Sequence, residues 1–180
     1  MKHHILTSIR MTIVLLIVVS GIYPLAVWAV GQAAFNHQAN GSLIVRNGKV
    51  IGSEIIAQNF TGDRFFHPRP SAAGKDGYDP TASGGTNLGP TSQKLRDSIA
   101  AAVAGRTNVP ADQVTSSASG VDPDISPANA YDQVPRVAKA NHRSEADVRA
   151  LVDRHTEGRF LGIFGEPRVN VLAVNLELQK

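Results

Sequence analysis

Cysteine is absent from the 180 residues. Its absence excludes thiol catalysis, iron–sulfur ligation, Cys-bound zinc and any disulfide scaffold. No acidic residue occurs before Glu54, and none of Asp, Glu, Lys, Arg or His occurs from Met11 to Ala34. The six histidines, at 3, 4, 37, 67, 142 and 155, contain no His-Glu-x-x-His and no pair four residues apart, so the metal site is none. There is neither Gly-x-Ser-x-Gly nor Ser-x-x-Lys, the local layouts of common serine hydrolases. Asp122-Pro123-Asp124 lacks the length and glycine of a calcium loop and reads as a turn before a capped helix. A concentrated basic patch is also missing. With Lys2 and Arg10 set aside, 16 of the 18 basic residues face 15 acidic ones. The high pI therefore does not signal a nucleic-acid partner.

What the chain does have is MTIVLLIVVSGIYPLAVWAVGQAA, residues 11–34. As a helix these residues reach roughly 36 Å, enough to cross a hydrocarbon core of about 30 Å with some tilt. A secretory signal peptide is the competing reading, with Ala29-Val30-Gly31 as the cleavage site. The apolar run before that site exceeds the ~7–15 residues usual for a signal peptide, which favours an uncleaved anchor. Lys2 and Arg10 precede the span, and no Lys or Arg follows until Arg46. The positive-inside rule then puts residues 1–10 in the cytoplasm and residues 35–180 outside it, in the periplasm or extracellular space. Trp28 and Tyr23 suit the outer interface, and Ala29 with Ala33 offers a small-residue face to another helix. Pro24 takes a donor from the carbonyl of Ser20, whose hydroxyl lies in the same turn.

The remaining residues, about 145, suffice for one domain, and their mixed patterns predict an α+β fold tethered by the single N-terminal transmembrane helix. Residues 35–42 read as a polar linker. LIVRNGKVIGSEII reads as a hairpin turning at Asn47-Gly48. Phe60, Phe65 and Phe66 are candidate core anchors. Residues 67–90 carry four Pro and five Gly without periodicity, a composition suited to a functional loop. Thr91 can cap a helix with Leu95, Ile99, Ala102 and Val103 on one face and Gly105 at its end. Gln113-Val114-Thr115 has strand character. Ser126-Pro127 opens a helix, Ser144 and Asp147 form a capping box for the next, and VNVLAVNLEL alternates as a closing strand.

Ser83, Gly84, Gly85, Thr86 and Asn87, ahead of a helix, are the best candidate for a backbone cradle toward a phosphate. The Walker lysine is missing, since Lys94 is the first Lys to follow. The plainer reading is a shaped loop that docks on a partner protein, pinned by Arg69 and Asp76 or Asp79, with the paired glycines supplying positive φ. No catalytic residue is assigned.

FFHPRPSA, DPTASGGTNLGPT, VTSSASGVDPDISPANA, QVPRVAKA and EPRVNVLAVNLEL resemble, in order, the motif blocks of the C subunit of the Kdp potassium-transporting ATPase. SGGTN alone is unspecific; five ordered blocks behind a membrane helix are very specific. The resemblance covers nearly the whole chain. It implies a single-pass bacterial inner-membrane subunit of an ATP-driven, high-affinity potassium importer. The implied partners are a channel-like A subunit, a P-type ATPase B subunit and a small F subunit. It further implies a role in assembly and as a catalytic chaperone that raises the B subunit's affinity for ATP. No tightly bound cofactor is implied, although ATP itself is, and a contact with ATP would fall at Ser83 to Asn87. That implication conflicts with the topology, which leaves only residues 1–10 on the side where ATP is found. Two other classes remain open: a membrane-anchored extracytoplasmic hydrolase with a dispersed Ser/His/Asp set, and a periplasmic binding module freed by signal cleavage. The intact mass of the purified protein separates the last of these from the anchored forms.

The orientation gives a direct expectation. A reporter active only in the cytoplasm, fused after Lys180, should stay silent, and an export-dependent reporter at the same place should be active. The reverse pattern would invert the topology.

Overall fold

A computed structural model describes residues 2–179 and shows an N-terminal apolar helix followed by mixed helix and sheet. The chain divides between Leu43 and Ile44 into two units.

The first unit is dominated by one long helix. It runs as α1 (Lys2–Ile17), a π turn (Val18–Ile22) and α2 (Tyr23–Ala34). No residue of these segments is buried, and by length and composition the helix is long and apolar enough to cross a membrane. The helix begins before the apolar span, and Thr7 and Ser8 donate their hydroxyls to the carbonyls of His3 and His4, at 2.9 Å each. The π turn lies directly ahead of Pro24. There the Tyr23 N–H donates to the Val18 carbonyl, five residues back, which widens the turn where proline cannot donate. Phe35, at φ −136°, ends α2, and the short α3 (Asn36–Ala39) follows. The Gln32 side-chain oxygen accepts from Asn36 Nδ2 at 2.9 Å, and Asn40 Nδ2 donates to the Asn36 carbonyl at 2.7 Å. These amides satisfy polar groups where the apolar sequence stops.

The second unit opens with the expected hairpin, β1 (Leu43–Arg46) and β2 (Lys49–Ser53). Asn47 and Gly48 have φ of 53° and 74°, the two positive values that a type I′ turn demands. A second sheet has the order β3 (Asp124–Ile125), β5 (Arg168–Asn170), β4 (Thr156–Glu157), antiparallel throughout, with Ile125 and Thr156 on opposite sides of Val169. Against it pack α6 (Pro127–Ala140) and α8 (Val171–Leu178), and α7 (Glu145–Arg154) packs on both of these helices. Their core contains Phe66, Ile125, Val134, Val137, Val148, Leu151, Val152, Val169, Val174 and Leu178. Phe66 is fully buried, whereas Phe60 packs at the edge of the core and meets Phe65, with ring centroids 5.5 Å apart.

The capping signals fold as their chemistry dictates. Ser126 Oγ accepts from the Asn129 N–H at 3.1 Å, and Ser144 Oγ accepts from the Asp147 N–H at 3.1 Å. The helix α4 (Gln93–Val103) starts one residue later than expected, since Ser92 rather than Thr91 accepts from the Leu95 N–H. Leu95, Ile99 and Val103 are only half-buried and Ala102 is exposed, so this helix does not enter the core.

Two expected strands are helices. Residues 111–114 form one turn, α5 (Ala111–Val114), in which Thr115 Oγ1 donates back to the Ala111 carbonyl at 2.7 Å. The closing run contributes only Arg168–Asn170 to the sheet and then becomes α8. Asn170 Oδ1 caps the Ala173 N–H at 3.0 Å. Val171, Val174, Asn175 and Leu178 are buried, an i, i+3, i+4, i+7 pattern, while Leu176 of the alternating set is only half-buried. The sequence fits both periods, and the cap together with a buried asparagine selects the helix.

That asparagine joins distant parts of the domain. Asn175 Oδ1 accepts from the Phe66 N–H at 2.8 Å, and Asn175 Nδ2 donates to the Phe66 carbonyl at 2.9 Å. Asn175→Leu would leave both backbone groups buried without partners, at ~1–3 kcal/mol each. Urea or thermal unfolding of the full chain in mild detergent should show a loss of that order, larger than for Leu176→Ala.

Candidate functional site

The Pro- and Gly-rich segment folds against residues 115–122, and side chains bonding to backbone close the junction. Ser71 is its hub. Its hydroxyl accepts from the Tyr78 N–H at 2.7 Å and the Ala73 N–H at 3.1 Å, and donates to the Gly120 carbonyl at 2.5 Å. Tyr78 donates its hydroxyl to the Arg69 carbonyl at 2.9 Å, and burial raises the phenol's pKa. Arg69 bonds Asp122 and the Ser116 carbonyl, both at 3.2 Å. Asp79 caps the short turn Pro80–Ala82 by accepting from the Thr81 N–H at 2.8 Å. Arg69 thus ties this segment to the 115–122 loop, while Asp79 acts locally.

Within Ser83 to Asn87, Ser83 Oγ and the Gly84 N–H both donate to the Ser119 carbonyl, at 2.9 and 2.8 Å. Gly85, Thr86 and Asn87, with Leu88, line a cleft of about 240 Å³ beside Ser116–Ala118. Asn87 takes positive φ, 53°. The paired glycines do not, contrary to the sequence-based expectation. Gly85 is needed for close approach instead: a Cβ there would sit 2.9 Å from the Ala118 carbonyl oxygen and 3.1 Å from that of Ser117. A Cβ at Gly84 would have no heavy atom closer than 4.0 Å. Gly120 answers from the opposite loop, where a Cβ would lie 2.6 Å from the Gly84 carbonyl oxygen.

A larger cleft, about 450 Å³, adjoins the start of this segment and is lined by His67, Tyr78, Arg106, Gln113, Gln133 and Arg136 among others. Arg136 donates to the carbonyls of Asp63 and Phe65 at 2.8 and 3.0 Å, and Arg106 bonds Asp132 and Gln113. Burial lowers the His67 pKa, favouring the neutral ring, whose Nε2 lies 2.9 Å from the Gly62 carbonyl oxygen. His155 Nε2 instead meets Glu177 at 2.7 Å. Neither imidazole engages a serine hydroxyl in these contacts. Sequence reasoning missed Ser71, Gly120, Arg106 and Arg136. Ser71, Gly120 and Arg136 lie within the motif blocks and Arg106 outside them, but only the approach of residues distant in sequence gives each its role.

The steric difference between the two glycines is testable. Gly85→Ala should lower the unfolding temperature of the chain or the recovery of any complex it joins, while Gly84→Ala should change both little. Equal effects would refute the close-approach account.

A family model described as "K+-transporting ATPase, c chain" matches residues 5–180. Similar proteins named potassium-transporting ATPase KdpC subunit come from several bacteria. The protein from Koribacter versatilis is 51% identical, over 99% of this chain and 95% of its own length. That from Acidobacterium capsulatum is 52% identical, over 99% and 98%. A Mycobacterium tuberculosis protein is 48% identical with both chains fully covered. Matched almost end to end by the family model and by relatives at about half identity, this chain belongs to the KdpC family.

Proposed function

We propose that the chain is a non-catalytic, membrane-anchored subunit of an ATP-driven potassium importer, acting through contacts with the other subunits. The observation that carries this reading is the family match over residues 5–180. Physical features support a contact role. One helix encloses no lumen, and residues 11–34 contain no Asp, Glu, Lys, Arg or His to line an ion path. In the second unit the distinctive residues hold loop backbones rather than assemble a nucleophile and base. Shaped, cross-braced loops suit docking, because little conformational freedom remains to be lost on binding.

In this reading residues 1–10 are cytoplasmic and the domain lies on the external face of the inner membrane, against A, B and F subunits. An effect on ATP use reaches the B subunit through protein contacts. The Ser83–Asn87 loop then faces a partner chain rather than ATP. Two facts support that assignment: the Gly84 N–H is already bonded to Ser119, and α4 begins only at Gln93, with its first turn capped by Ser92.

Tethering should matter to such a subunit, because it makes docking effectively intramolecular and raises apparent affinity by ~10²–10⁴. The test is potassium-limited growth of cells lacking the subunit, supplied with the full chain or with exported residues 35–180 at matched abundance. The full chain should restore growth and the untethered domain should do so poorly. Equal rescue would reduce the helix to a delivery device.

A further inference from the structure

Between α7 and β5 the chain makes a small ordered projection. The Phe160 N–H donates to the Phe164 carbonyl at 2.8 Å, and the Phe164 N–H returns the bond to the Phe160 carbonyl at 3.0 Å. Inside this bridge the Gly162 N–H donates to Arg159 and the Ile163 N–H to Phe160. Arg159 grips both carboxylate oxygens of Glu166, at 2.7 and 2.9 Å, and staples the base.

The tip carries Phe160, Leu161, Ile163 and Phe164, which are 71, 74, 71 and 62% exposed. Among the described residues after Ile44, the other exposed large apolar side chains reach at most 59%. Four such neighbours on a closed backbone form a convex apolar knob, a feature that a soluble surface seldom carries without a partner.

The charges around the knob discriminate between partners. Membrane-surface segments combine an apolar face with unpaired Lys or Arg for anionic headgroups. Here Arg159 is paired with Glu166, and Arg168 with Glu157 at 2.7 Å and Asp124 at 3.2 Å. A neutral, ion-paired collar around two phenylalanines has the anatomy of a protein interface, with an apolar centre and a polar rim. We propose that the knob of Phe160, Leu161, Ile163 and Phe164 inserts into an apolar pocket on another subunit of the same transport ATPase. The proposal rests on the subunit reading above and adds the surface through which one contact is made. The closed bridge and the stapled base fix the knob in advance, so docking orders little backbone.

The test uses the full chain expressed with the other subunits. A photo-crosslinking amino acid in place of Leu161 should give an adduct identified by mass spectrometry as one defined ATPase subunit. Phe160→Ser with Phe164→Ser should cut the recovery of co-purifying subunits about ten-fold, with the unfolding temperature of the isolated chain unchanged. Adducts with lipid alone would overturn the proposal in favour of a bilayer contact, and undiminished recovery with no adduct would overturn it outright. Should the double variant unfold, the crosslink decides, since it leaves both phenylalanines in place. If the unaltered chain co-purifies with no ATPase subunit, the subunit reading itself falls, which separates that failure from failure of the knob.

Discussion

The second unit depends on how Phe66 is buried. Phe66 belongs to no strand or helix, yet it lies at the centre of the core, so its N–H and carbonyl must find partners away from water. Asn175 supplies both from α8. One residue later Gln133 does the same from α6, accepting from the His67 N–H at 2.7 Å and donating to its carbonyl at 3.1 Å. The network continues, with Gln133 donating to Asn129 and Asn129 donating to Asp112, whose carboxylate also receives the Ser126 N–H. Buried amides thus do for an irregular segment what a neighbouring strand does within a sheet. They bind α5, α6 and α8 to the start of the Pro- and Gly-rich loop.

From that anchored point the loops are braced at short intervals by Ser71, Arg69 and Ser83, each bonding a carbonyl of the 115–122 segment. At Gly85 and Gly120 the two backbones meet where side chains would intervene. The outcome is a surface without regular structure and with little slack. In the contact role proposed above that stiffness is useful, because a compliant loop would absorb the differences between the states of its neighbours.

The readable parts of the sequence were those in which one residue type has one local use. Ser126 before Pro127, Ser144 before Asp147, and Asn47-Gly48 between β-branched runs act within a few residues, and they fold as read. Residues 171–178 misled because alternating Val and Leu satisfy a period of two as well as a helical stripe; Asn175 was the visible discordance. Val114 and Thr115 were read by strand propensity, which a single turn carrying Asp112 toward Ser126 and Asn129 overrides. The role of Gly85 depends on Ala118, far along the chain, and no local pattern announces it. The apolar tip was equally hidden, since Phe, Leu and Ile look the same in sequence whether they fill a core or leave it.

The π turn ahead of Pro24 changes how the membrane helix presents itself to neighbours. One extra residue is absorbed within a single turn, so positions beyond it lag a uniform helix by one residue, about 100° of rotation. The N-terminal portion and the stretch bearing Trp28, Ala29 and Ala33 therefore keep separate angular registers. A helical wheel drawn straight through residues 11–34 would merge two faces that are offset in the molecule. A companion helix lying along the whole span meets one stripe below the widened turn and a rotated stripe above it, so removing a single residue there would swing the Ala29–Ala33 edge out of alignment while leaving its composition untouched.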